Sequence, residues 1–255
     1  MSGQTPAESR STTPDLTDPQ TVLQELLDAD QAVRDTFARA LEPELATLAE
    51  ALAACFARWR PLREAAAALS APRTDLMNGF ALGALDDLIV SVKLLLAGKA
   101  AASGNVFRQA IEGVAMAVLC STDTELVIQV RPKQGDIRGC YWERVMTGDD
   151  RLVEGQRALQ QLAWNAEGLQ LRPGWIHWLT ETQKLYSGVS HASLMTISLR
   201  TSFQSSNAVS FGAHFDSEKL CWYRAGMVHR GLLARELADV MPYLLAAIGP
   251  GSVAA

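Results

Sequence analysis

The sequence predicts a mainly α fold: a single-domain helical bundle with a small β-hairpin inserted before the long C-terminal helix. Three observations carry this expectation. Apolar residues recur at three- and four-residue spacing through most of the chain, the period of an amphipathic helix. Two β-rich runs, Leu194-Met-Thr-Ile-Ser-Leu-Arg-Thr-Ser-Phe203 and Ala208-Val-Ser-Phe-Gly-Ala-His-Phe215, flank the polar stretch Gln204-Ser-Ser-Asn207 and read as the hairpin. Nothing from 19 to 249 marks a linker, and 48% hydrophobic content over 255 residues suffices for one core.

In chain order, residues 1–18 are dominated by Ser, Thr, Pro and Gln, a composition that cannot offset ordering entropy, so a disordered tail is expected before a helical domain over 19–249. Asp18 is placed as an N-cap with Pro19 at the first helical position, opening one helix from Val22 to Leu41. Pro43 restarts or kinks that helix, and Pro61 interrupts the next one. A short alanine-rich helix follows over Leu62 to Leu69. Thr74 to Gly98 reads as a long helix with Gly98 as its C-cap, and the helix after it begins so soon that the two form an antiparallel hairpin. Thr124 to Val130 fits strand or helix. Arg131 to Gly148 reads as a loop with one turn near Tyr141 and Trp142. Helices resume from Asp150 to about Gly168 and from Pro173 through Val189, and a last one runs from Asp216 or Ser217 to about Ile248, bent at Pro242.

Composition excludes several functional classes. The N-terminus has neither an apolar signal-peptide core nor an Arg-rich amphipathic pattern, and no window holds the roughly 18 uninterrupted apolar residues of a membrane span. The expectation is a cytoplasmic protein without membrane contact. Cys55, Cys120, Cys140 and Cys221 lack CxxC spacing, which argues for buried thiols over a disulfide frame or zinc site. HExxH, GxSxG, phosphate-loop and dinucleotide fingerprints are missing, so neither a metal nor a cofactor is expected. Of the net charge of −5, the first 50 residues hold 10 acids and 3 bases, leaving the remainder near +2, too weak for a dedicated nucleic-acid surface although a local groove remains open.

One constellation stands out. Arg108 and Glu112 lie four apart, on one stripe of a helix that is otherwise apolar nearly all round. A direct ion pair explains them. A buried pair gains little stability over apolar residues, so recognition is the competing explanation, with Arg108 gripping a phosphate or carboxylate and Glu112 orienting it. Asp86 or Asp87 can approach Arg108 across the helical hairpin. The polar helix end Tyr186-Ser-Gly-Val-Ser-His191 is the expected partner: His191 at an enclosed position before the hairpin, able to titrate near neutrality, with Tyr186, Ser187 and Ser190 hydroxyls beside it and Lys184 on the same stripe. His177 and Glu181 read as a solvated face.

Arg108-Gln-Ala-Ile-Glu112 and Tyr186-Ser-Gly-Val-Ser-His191 together resemble a bacterial family of helical proteins related to the HEPN superfamily, over roughly residues 74–248. The resemblance implies a helical bundle and a homodimer. Many HEPN proteins are metal-independent ribonucleases acting through R-x4-6-H. That spacing occurs here in Arg172-Pro-Gly-Trp-Ile-His177 and Arg224-Ala-Gly-Met-Val-His229, a number of matches close to chance, and the second pair is about 140° apart on a helix. His191 has no Arg in that upstream window, so Arg108 would have to serve it from elsewhere.

Three readings stay open. The chain is a HEPN-like binding or regulatory module whose buried polar site holds a small anion or nucleotide. Alternatively it is a metal-independent ribonuclease, of toxin or defence type, with His191 as acid/base and Arg108 on phosphate. The third is a purely structural homo-oligomeric scaffold. Partners under these readings are a second copy, RNA or a small anionic ligand.

Overall fold

The computed structural model describes residues 15–148, 151–203 and 212–249, so the expected tail lies almost wholly outside the described residues. Over the described residues the chain is mainly α with one two-stranded antiparallel sheet. Its first helix, α1 (Pro19–Leu27), is capped as the sequence predicts, Asp18 accepting from the Gln20 and Thr21 amides at 3.3 and 3.0 Å. The expected single helix to Leu41 is instead two. Asp28 accepts from the Asp30 amide at 2.9 Å, Asp30 takes a left-handed φ of 55°, and α2 (Gln31–Ala40) starts afresh. A local carboxylate–amide bond here competes successfully with helix continuation.

The next helix, α3 (Glu42–Leu69), restarts with Pro43 in its first turn but runs straight through Pro61, where an interruption was expected. Its partner is the reason. The long α10 (Leu220–Ala246) lies along it, with the Cys55 thiol donating to the Ala234 carbonyl at 2.7 Å and Arg58 reaching both Ala238 O (2.9 Å) and Asp239 (2.6 Å). Packing over that length outweighs the local cost of proline.

The centre of the bundle is the antiparallel pair α4 (Pro72–Leu96) and α5 (Ala100–Leu119), the most extensively packed of all. Their turn is a Schellman closure: the Lys99 amide donates to Leu94 O and the Gly98 amide to Leu95 O, both at 2.9 Å, with Gly98 at φ +70°. Glycine is required for a second reason, since a Cβ there would lie 2.6 Å from the His214 amide nitrogen. Twelve of the twenty α5 residues are buried, as its sequence predicts.

The two-stranded sheet is β1 (Leu126–Gln129) against β2 (Ile137–Gly139), with Leu126 opposite Gly139 and Val127 opposite Arg138. It sits between α5 and α6 (Tyr141–Thr147), not before the C-terminal helix. Two amides of α7 (Gly155–Trp164) and its cap pin it: Asn165 accepts from Val127 N (2.8 Å) and donates to Val127 O (2.9 Å), while Gln161 donates to Ile128 O (3.0 Å). Tyr141, fully buried, donates to Gln161 at 2.7 Å, and Trp142 donates to Asp123 at 3.0 Å, which explains this aromatic pair.

The expected first strand of the other hairpin is helical. Beyond α8 (Pro173–Ser187), a capping box in which Ser193 and Thr196 satisfy each other's amides starts α9 (Leu194–Arg200). Lys219, 4% exposed at its side chain, closes it by donating to the Ser198, Leu199 and Thr201 carbonyls at 3.0, 3.2 and 2.6 Å. Capping at both ends overrides the β-propensity of Ile197 and Thr196. The turn at 204–207 and the first half of the second run, 208–211, lie outside the described residues, and 212–215 is not a strand.

Phe37 of α2 packs edge-on against Phe215 and Tyr223, each at 4.8 Å between centroids, joining the N-terminal helices to α10. Arg73, 7% exposed, reaches the Ser121 and Ala247 carbonyls and pairs with Asp123 at 3.2 Å, tying together the ends of α4, α5 and α10. No helix among the described residues is long and apolar enough to cross a membrane.

Candidate functional site

Arg108 and Glu112 form the i,i+4 ion pair, Nη2 to Oε1 at 2.8 Å, with side chains 16% and 14% exposed. Gln183 of α8 donates to the same Glu112 oxygen at 2.8 Å, while the buried Arg108 Nε has no partner. Neither Asp86 nor Asp87 pairs with Arg108; Asp87 is instead raised in pKa by burial and by its neighbour Asp86. The pair therefore braces α5 against α8.

The expected Arg108–His191 site is not assembled. The antiparallel helices match Gly104 with Val189, Phe107 with Tyr186 and Glu112 with Gln183, so His191 lies past Gly104, toward the start of α5 and away from Arg108. His191 is exposed, against the expectation that it is enclosed. The other residues of that segment are occupied locally. Ser187 donates to Gln183 O at 2.9 Å, Ser190 to Tyr186 O at 3.2 Å, and Lys184 pairs with Glu181 at 2.7 Å on the exposed face. Hydroxyls near a helix end are satisfied by their own preceding turn, which leaves none free for His191.

Tyr186 serves a different cluster. Its hydroxyl lies 3.2 Å from Nδ1 of His229 on α10, and beside them Arg230 is 2% exposed. The Arg230 guanidinium bonds only neutral groups: Ser91 Oγ (3.1 Å), Gly226 O (2.9 Å), and Ser103 O and Oγ (3.3 and 2.7 Å). It stacks over Phe107 at 4.7 Å and faces Tyr186 at 5.9 Å. This network links α4, α5, α8 and α10. Burial pushes the Tyr186 hydroxyl up and the His229 imidazole down, the Arg230 charge acting with burial on His229 and against it on Tyr186. His229 is therefore neutral near pH 7, and its partner in the R-x4-H match, Arg224, is engaged elsewhere with Glu44 at 3.3 Å.

Sequence reasoning missed Arg230. The available signal was the run Tyr223-Arg-Ala-Gly-Met-Val-His-Arg230, in which Tyr223, Met227 and Arg230 share the apolar face of α10.

The cleft with polar chemistry lies elsewhere, between the α4–α5 turn and α9. It holds about 500 Å³ and is lined by Leu94, Lys99, Ala100, Arg200, Gly212 and His214 among others. The N-terminus of α5 opens into it with no side-chain cap. Lys99 is shared with Asp30 at 3.4 Å, and Arg200 is exposed and makes no ion pair among the described residues. Both ring nitrogens of His214 are buried without a hydrogen-bond partner. Burial, then Lys219, depress the His214 pKa, while Asp216 and the nearby Leu199 backbone oppose them. The arrangement offers cations and orphan amides, chemistry suited to an anion, with the buried His214 ring beside them.

Two of the four cysteines are the buried thiols expected. Cys55 and Cys120 are buried and pushed up to about 12 by burial, and Cys140 is also raised by burial; Cys221, expected buried, is exposed. No group of three or more His, Cys, Asp or Glu side chains is placed to hold a metal ion among the described residues. Compared with models of known families, with curated proteins and with solved structures, this chain matches none.

Proposed function

We propose that the chain is a HEPN-like helical binding or regulatory protein that holds a small anion in the cleft between the α4–α5 turn and α9. One observation carries this reading: the uncapped start of a 20-residue helix, Lys99, Arg200 and the unpartnered His214 line the same cleft. The helix start contributes about half a positive charge and free N–H groups. Lys99 and Arg200 add full charges, and Arg200 can take two oxygens of a phosphate or carboxylate at once. An anion held by Lys99 and Arg200 beside the buried His214 ring would raise its pKa through space, so binding takes up a proton and tightens as pH falls. The Arg108–Glu112 pair and the Arg230 network then serve as the frame.

The test is thermal unfolding with inorganic phosphate and AMP against matched sodium chloride, for the natural protein and for Arg200→Gln and Lys99→Gln. Phosphate or AMP should raise the melting temperature of the natural protein more at pH 6 than at pH 8, and either variant should remove most of that rise. Equal effects of phosphate and chloride would overturn the reading.

A further inference from the structure

Helix α1 presents an apolar face that is exposed among the described residues. Leu23, Leu26 and Leu27 fall on one side at three- and four-residue spacing, 47%, 75% and 76% exposed, and no residue of α1 is buried. Large apolar side chains concentrated in this way mark a contact surface. Residues 15–30 also carry Asp15, Asp18, Glu25, Asp28 and Asp30 with no Lys or Arg among them.

A complementary groove runs between α3 and α10 on another part of the molecule. It holds about 290 Å³ and is floored by Met227, Val228, Gly231 and Leu232, with Pro43 and Thr47 opposite. Val228 and Leu232 are 54% and 37% exposed, and a Cβ at Gly231 would meet nothing within 4 Å. Its polar groups are Arg235, exposed and without an ion pair among the described residues, and Glu44, already paired with Arg224. With Glu44 tied to Arg224, Arg235 is the one charge of the groove lining left without an opposite partner among the described residues, and it is opposite in sign to the α1 segment.

We propose that α1 of one copy docks its Leu23, Leu26 and Leu27 face into the α3–α10 groove of a second copy, reciprocally, forming a two-fold dimer. The occupant is a second copy because the two surfaces match in both apolar character and charge, and because exchange across a two-fold axis makes each contact twice. The Asp28–Asp30 break, extended at Asp28 and left-handed at Asp30, supplies the hinge. This is the helix-in-groove mode of recognition, with i, i+3 and i+4 anchors.

Sedimentation of the full chain tests it. The natural protein should sediment at twice its 27.6 kDa chain mass. Leu26→Asp/Leu27→Asp, which retains the groove, and Val228→Glu/Leu232→Glu, which retains α1, should each be monomeric with unchanged circular dichroism, since these positions are exposed. Mixed, the two variants should form a heterodimer through the one intact contact, weakened by at least about tenfold relative to the natural pair. A monomeric natural protein, a dimer that persists in both variants, or variants that stay monomeric when mixed would each overturn the proposal.

Discussion

Arg230 bears a charge inside the bundle with no carboxylate beside it, and replacing it separates the value of its charge from the value of its volume. Taking a guanidinium out of water costs several kcal/mol. Its four hydrogen bonds, at roughly 1.5 kcal/mol each, return about the same amount. The charge and its bonds therefore nearly cancel. Packing remains: the side chain fills space between α4, α5 and α10 and lies 4.7 Å over the Phe107 ring. Arg230→Ala empties that space, and by analogy with large-to-small core changes costs about 3–5 kcal/mol. Arg230→Met keeps most of the volume and removes the desolvated charge. Ser91 and Ser103 still donate to the Leu88 and Ser91 carbonyls, so no hydroxyl proton is stranded, and the expected cost is below about 1.5 kcal/mol. At roughly 2–4 °C per kcal/mol for a chain of this size, alanine should lower the melting temperature by about 10 °C and methionine by a few degrees. Urea unfolding followed by circular dichroism gives both free energies. Equal losses in the two variants would refute the cancellation, and no loss in either would refute the burial of Arg230.

Other perturbations follow from the same geometry. Arg108→Ala should cost about 1–2 kcal/mol, less than the 3 or more of a sealed pair, because Glu112 keeps its bond from Gln183 and some water; urea unfolding measures it, and a cost above 3 kcal/mol would contradict the partial exposure. Gly98→Ala should cost about 2–4 kcal/mol from its left-handed φ and the clash with His214, and should also abolish phosphate stabilisation by displacing a cleft wall. His214 and His229 both have folded pKa values below their ordinary 6.5, so the unfolded chain takes up protons first as pH falls. Their contribution is complete above pH 6.5 and is lost as pH drops toward the folded values; urea unfolding at pH 7.5 and 5.5 should show a smaller decline for His214→Asn/His229→Gln than for the natural chain.

Much of the architecture was legible because its signals are local. Asp18 and Pro19 mark a helix start, and Gly98 marks a helix stop, by what their own backbone can do. The density of apolar residues in α5 places that helix at the centre of any compact arrangement. Errors arose where distant residues decided between local preferences. Pro61 stays inside α3 because α10 runs beside it. Residues 194–200 are helical because Ser193 caps one end and Lys219, nineteen positions beyond Arg200, closes the other. The sheet formed instead where Asn165 and Gln161 could pin β1.

The same division holds for chemistry. The Arg108–Glu112 pair was readable from spacing alone, since four residues on a helix fix two side chains on one stripe. The sequence by itself determined a helical bundle, its central hairpin and that ion pair. Only the tertiary structure decided that Tyr186 meets His229 and Arg230, that His191 faces solvent, and that Lys99, Arg200 and His214 share a cleft. These partners lie 14 to 115 residues apart, and which face of a helix meets which neighbour depends on how whole helices pack, a choice that no short stretch of sequence encodes.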